Sequence, residues 1–311
     1  MSTRTLAKQE SLLGLRLISP TLLIVIVVVI LPVIWTVSLA FQDIGLINIR
    51  DAGFFGEYTL DNFETVFTSA GFWSSLWTTV VYTVGATLGS IVLGLIAALA
   101  LRRPFRGRGF LRAVMLLPYV TPVVAATFVW TVMLNPQFGI VNQWGQDFFG
   151  WDEPIAFLSQ RSQTFSLFGV DVTVPLALIT VIVFETWRYF PFAFLFIIAR
   201  LQALPGELDE AAIVDGTSVW QRFRYITLPQ LMPVIALLTI LRFIFTFNKF
   251  DDVYLLTGGG AGTEVISIRV FEYLTARTDI GAAAAQSLVL ALFLVVFIVF
   301  YMRTTRAGEE A

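Results

Sequence analysis

The 311-residue sequence contains no cysteine and no histidine. The first absence excludes disulfides, thiolate metal sites and thiol nucleophiles. The second removes the imidazole base, histidine-containing triads and histidine-ligated zinc. Charge is scarce as well: 14% of residues are charged against 57% apolar, and the mean hydropathy is +0.80. A soluble domain carries about 25% charged residues. The net charge of -2 comes with no basic block that would favour nucleic acid. No GxxxxGK[ST] phosphate loop and no nucleophile elbow occurs, so the chain reads as a non-enzyme that binds neither ATP nor magnesium through such a motif. Gly258 to Gly262 is glycine-rich without the GxGxxG spacing, and reads as a flexible loop. Asp251-Asp252 alone is too small a carboxylate set to specify a metal.

What is present is a series of apolar runs, at about residues 17–41, 76–101, 113–134, 174–200, 231–248 and 281–302. Each is long enough to cross a bilayer as a helix. The first follows Arg4, Lys8 and Arg16 and exceeds a signal-peptide core, so residues 1–16 read as a terminal segment and 17–311 as a membrane domain. In the second run Ala86, Ser90, Gly94 and Ala98 recur every four residues, with Gly85 and Gly89 beside them, which predicts a helix-packing seam. The third contains Pro118 and Pro122 and predicts a kink. Residues 42–75 and 135–173 read as loops on one side. Thirteen Lys and Arg flank the other side, against five on this one and two within spans. By the positive-inside rule both termini are cytoplasmic.

Charges inside spans need a cavity or a partner. Arg242 lies in the fifth run, and the fourth carries Glu185, Trp187, Arg188 and Tyr189 before Pro191. Two readings stand for this group. Glu185 and Arg188, three apart, pair along one helix face; or they line a polar, aromatic cavity suited to sugar hydroxyls and the apolar face of a sugar ring.

Between the fourth and fifth runs lies residues 204–233, the longest strongly polar segment between two spans, on the cytoplasmic side of the charge count. Pro205 suits a helix start and Glu207, Asp209 and Glu210 suit the positive end of its dipole. Asp215-Gly216 predicts a turn, with Gly216 in the left-handed conformation, and Thr217 or Ser218 a cap for a second short helix ending at Pro229.

This stretch, EAAIVDGTSVWQRFRYITLPQLMP, resembles the EAA signature of carbohydrate ABC importer permeases, EAAxxDGAxxxxxFxxITLPxLxP. Glu210, Ala211, Ala212, Asp215, Gly216, Phe223, Ile226 to Pro229, Leu231 and Pro233 match, and Thr217 stands where alanine is usual. YTLDNFETVF is similar to the family's GLxNFxxxF segment, with Thr59 for its glycine. LLPYVTPVVAATFVWTVMLNPQFGIVN is similar to the family segment that opens with LPY and closes in a G-x-x-N turn, and FNKFDDVYLLTGGGAGT resembles the larger maltose permease type.

The resemblance implies an all-α, six-span type I importer permease in a bacterial or archaeal inner membrane. It also implies partners: a second, related permease, two cytoplasmic ATPases that hold ATP and magnesium, and an extracytoplasmic solute-binding protein. ATPase coupling would fall on Glu207, Glu210, Ala211, Ala212, Asp215 and Gly216. A sugar or glycoside would meet Glu185, Arg188, Tyr189, Phe192, Phe245, Thr246 and Lys249. Two basic residues in that set keep an anionic solute, such as a sugar phosphate or sulfonate, as the alternative, alongside an amino acid permease. If Asp251 or Asp252 neutralises Lys249, the site is left for a neutral sugar. An ATP-independent secondary transporter would leave the EAA pattern without a reason.

Overall fold

The computed structural model describes residues 3–54, 56–167 and 170–307, so the first two and last four residues of the expected terminal segments lie outside the described residues. Five helices are long and apolar enough to span a membrane: α1 (Leu13–Ala40), then Phe72–Ala100, Leu176–Gln202, Val219–Phe247 and Ile280–Arg303. A bent pair, Arg108–Val120 and Val123–Met133, supplies the sixth. In chain order after α1 we label α2 (Asp61–Thr68), α3 (Phe72–Ala100), α4 (Arg108–Val120), α5 (Val123–Met133) and α6 (Ile140–Phe149). There follow the antiparallel strands β1 (Gln163–Leu167) and β2 (Val170–Val174), then α7 (Leu176–Gln202), α8 (Gly206–Val214) and α9 (Val219–Phe247). The last are α10 (Asp251–Thr257), α11 (Ile266–Thr275) and α12 (Ile280–Ala307). The expected loop at 135–173 therefore contains a helix and a two-stranded ribbon.

The chain divides into two compact units, residues 1–72 with 269–292 and residues 73–268 with 293–311. In the first, buried side-chain amides hold the irregular backbone that follows α1. Asn62 donates to the carbonyls of Ala40 (3.1 Å) and Gln42 (2.8 Å). Gln42 in turn donates to Ser38 (3.1 Å) and Gly53 (2.8 Å) carbonyls. Buried backbone outside regular structure must find such partners within the protein. This gives Asn62 of the YTLDNF segment a structural task.

In the second unit α7 is central, burying Phe184, Phe190, Phe194 and Ile197. α3 packs against it along the predicted small-residue seam. A Cβ on Gly94 would come within 2.7 Å of Ala193 Cβ and 2.8 Å of the Phe194 nitrogen, and one on Gly85 would press on Ile182. Lipid tails are as apolar as leucine, so close van der Waals contact holds these helices together. Asn142 of the G-x-x-N turn closes the ribbon-side segment, accepting from the Ile155 nitrogen (2.7 Å) and donating to its carbonyl (3.0 Å).

Two expectations are corrected. The proline pair does more than kink span three: α4 and α5 meet at 96°, with Thr121 and Pro122 at the break. Nor does a separate helix end at Pro229. α9 runs from Val219 through Pro229 and Pro233 to Phe247, with a π-helical turn at Phe223–Thr227. Pro229 then falls in the first turn of the α-helical part, where its missing N–H costs least, and the widened turn before it absorbs the change of register.

Candidate functional site

α7, α9 and the start of α10 bring one group of polar residues together. Arg242 and Thr246 are four apart on α9 and share a face; both are buried and point at Glu185. Arg242 Nη2 donates to Glu185 Oε1 at 2.7 Å, and Thr246 Oγ1 lies 3.4 Å from the same oxygen. Glu185 is 0% and Arg242 1% exposed. The pairing of Glu185 with Arg188 is thus overturned. Its partner sits fifty-seven residues on, in another helix, and Arg188 instead donates to the Thr121 carbonyl at 3.0 Å. That carbonyl belongs to the break between α4 and α5, so Arg188 satisfies backbone that the bend has freed.

Tyr189 lies at the centre of three cations. Arg242 Cζ is 4.2 Å, Lys249 Nζ 4.8 Å and Arg188 Cζ 5.6 Å from its ring centroid. Lys249 Nζ also donates to its hydroxyl at 2.7 Å. Such cation–ring contacts are worth about 0.5–2 kcal/mol each and fix the ring's position. Lys249 is answered as the sequence suggested, by Asp251 at 3.4 Å, with the Asp252 carboxyl 3.6 Å away. Both Asp252 oxygens are buried without a hydrogen-bond donor among the described residues. Burial, reinforced by the neighbouring Glu185 and opposed by Lys249, pushes the Asp252 carboxyl up to about 9. For Lys249, burial works downward, but Asp252 and Glu185 outweigh it and the ammonium is held above its usual range.

The aromatic side of the group is more open. Tyr119 of α4 meets Tyr189 edge-on at 5.8 Å and tilts over Phe192 at 6.0 Å. Tyr119 is 40% exposed, and Tyr189 and Phe192 are partly buried. Phe245 does not join: it is exposed, and lies about 100° around α9 from Thr246. The sequence thus named Glu185, Arg188, Tyr189, Phe192, Thr246 and Lys249 in or beside the group. It missed Tyr119 and the role of Arg242. An intramembrane arginine with no partner on its own helix was the available signal for Arg242.

The polar stretch folds as capped elements. Gly216 adopts φ +72° after α8. Thr217 closes back on the Ala212 carbonyl through its nitrogen (3.1 Å) and Oγ1 (2.6 Å). Ser218 and Gln221 form a reciprocal capping box at the start of α9. Glu207, Glu210, Ala211 and Val214 follow the i, i+3, i+4, i+7 spacing of one helix face and are all exposed. Asp215 is exposed at the end of α8. Ala212 is on the other side, buried, so only Ala211 of the two alanines faces outward. Asp209 pairs with Arg102 at 2.6 Å.

Residues 90–307 match the model of the family described as "binding-protein-dependent transport system inner membrane component". The chain belongs to that family. It is a multi-pass inner-membrane subunit without catalytic activity of its own, and ATP hydrolysis resides in a separate partner. It is similar to the Escherichia coli inner membrane ABC transporter permease protein YcjO, at 36% identity over 95% of this chain and 94% of that one. It is also similar to the trehalose/maltose transport system permease protein MalF of Thermococcus litoralis, at 33% identity over 99% and 98%. A bacterial ABC transporter for the acidic polysaccharide alginate shares the fold, with a TM-score of 0.79 over 96% of both chains at 22% identity.

Proposed function

We propose that this permease carries a neutral sugar or glycoside, pairing with a second, related permease and receiving its solute from a binding protein. The observation that carries the sugar reading is the near-complete alignment with a relative named for trehalose and maltose transport. The preference for a neutral solute rests on the charge arrangement. Glu185 answers Arg242, Asp251 answers Lys249, and Arg188 is turned onto a backbone carbonyl. What is left to meet a solute is the aromatic side: Tyr119, Tyr189 and Phe192, the flat surfaces on which sugar rings stack. The buried ion pair then positions Tyr189 from behind.

In this reading both termini and residues 204–233 face the cytoplasm, as the excess of Lys and Arg on that side supports. The ATPase seats the exposed face of α8 in a groove, with Glu207, Glu210, Ala211 and Val214 in contact. Asp215 and Gly216 set the angle to α9, so movement of α8 passes directly into a membrane span.

The test is uptake by proteoliposomes holding the assembled importer and its binding protein. Trehalose and maltose are offered against glucose 6-phosphate and a mixture of amino acids. Disaccharide uptake that falls at least tenfold in Tyr189→Ala and Phe192→Ala supports the assignment. Preferential uptake of the phosphate or the amino acids overturns it, as does normal disaccharide uptake by both variants.

A further inference from the structure

On the side of α3 away from the buried charge cluster, a groove of about 840 Å³ opens between its C-terminal half and the α8–α9 connection. Its wall on α3 is an apolar stripe, Val92, Ile96 and Leu99, at i, i+4 and i+7. Arg102 and Arg103 stand at the end of that stripe, and Arg222 and the exposed Trp220 contribute from α9. Arg102 is held by Asp209. Among the described residues, Arg103 and Arg222 have no carboxylate within ion-pair distance.

We propose that this groove holds an anionic phospholipid, with its headgroup between Arg103 and Arg222 and an acyl chain along Val92, Ile96 and Leu99. Charge complementarity selects the ligand: two unneutralised guanidiniums at one end of an apolar trough match an anionic head on an apolar tail. Dimensions agree. The stripe rises about 10 Å along α3, within the ~15 Å hydrocarbon depth of one leaflet. Trp220 sits at the charged end, where indole rings are favoured between headgroup and hydrocarbon. A zwitterionic lipid brings its own cation beside the phosphate and answers the two arginines less fully. Because Ile213 of α8 also lines the groove, a bound lipid touches both the coupling helix and a membrane span, and its presence stiffens the connection between them.

The experiment uses the assembled importer in nanodiscs of phosphatidylcholine with increasing phosphatidylglycerol, followed by native mass spectrometry of lipid retained per complex. Each arginine near an anionic headgroup is worth roughly a fivefold change in affinity, so Arg103→Gln/Arg222→Gln should lower phosphatidylglycerol retention by roughly 30-fold. Ile96→Trp, which fills the trough and leaves the charges in place, should lower retention of both lipids. Retention unchanged in both variants overturns the proposal. The sequence has no cysteine, so Ile96→Cys gives this chain a single thiol to carry a photoactivatable benzophenone. Its crosslinking to phosphatidylglycerol supports a lipid occupant. Crosslinking to the second permease instead shows a protein-filled groove and overturns the proposal.

Discussion

Replacing Arg242 with methionine removes one half of the buried pair and leaves the Glu185 carboxylate at 0% exposure. The N···O distance is 2.7 Å and neither side chain reaches solvent. An uncompensated buried charge of this kind costs about 3–5 kcal/mol, and neighbouring Lys249 should hold the loss to the lower end of that range. For a membrane helix the same group has no water to retreat to. A loss near 3 kcal/mol is a large part of the 5–15 kcal/mol that holds an ordinary domain folded. It should appear as a drop of roughly 5–10 °C in the apparent midpoint of the purified complex. Glu185→Gln/Arg242→Met removes both charges and keeps the volume, and should recover most of that loss. The assay is thermal aggregation of the detergent-purified complex, read for each single variant and for the double. A double variant no more stable than the Arg242→Met single would refute the ion-pair account, because the two effects would then add rather than cancel.

Two further outcomes follow from the same unit. Gly94→Ala should separate α3 from α7 and lower assembled complex in the membrane severalfold, since the added Cβ meets backbone at 2.8 Å with nothing flexible to yield; normal assembly would contradict the seam. Asp252 has a folded-state value raised to about 9 by burial. Its contribution to stability is therefore fully present below the unfolded value near 4 and is lost as pH rises toward 9. Asp252→Asn should flatten that decline between pH 6 and 9 in a thermal-stability series, and an unchanged slope would remove Asp252 as its source.

The fold was legible wherever one physical rule acted alone. Apolar length gave the spans, four-residue spacing of small side chains gave the α3–α7 seam, and Asp215-Gly216 with Ser218 gave the turn and cap. Where two rules competed, the sequence reading failed. Pro229 looked like a stop, because the π turn that absorbs it has no signature in residue type. The pairing of Glu185 with Arg188 stood as one of two readings, because spacing along a helix is visible while a partner in another helix is not. The 96° break at Thr121 was underestimated for the same reason: its support, Arg188, arrives from α7. At the candidate site Tyr189, Thr246 and Lys249 were named by position along the spans that flank residues 204–233. Tyr119 was not, since it enters only through the bend of α4.

In the proposed coupling, α8 is the point at which ATP hydrolysis in a partner drives movement of the spans. The most direct measurement is ATP-dependent disaccharide uptake by proteoliposomes carrying either the wild-type importer or Gly216→Trp. Gly216 sits at φ +72° with open space around its Cα, so the bulky substitution strains the turn and obstructs the docking face without disturbing the packed helices. Wild-type complexes should take up sugar only with ATP, and Gly216→Trp complexes, still inserted in the membrane, should take up none. Uptake that proceeds without ATP, or that survives unchanged in Gly216→Trp, would contradict it.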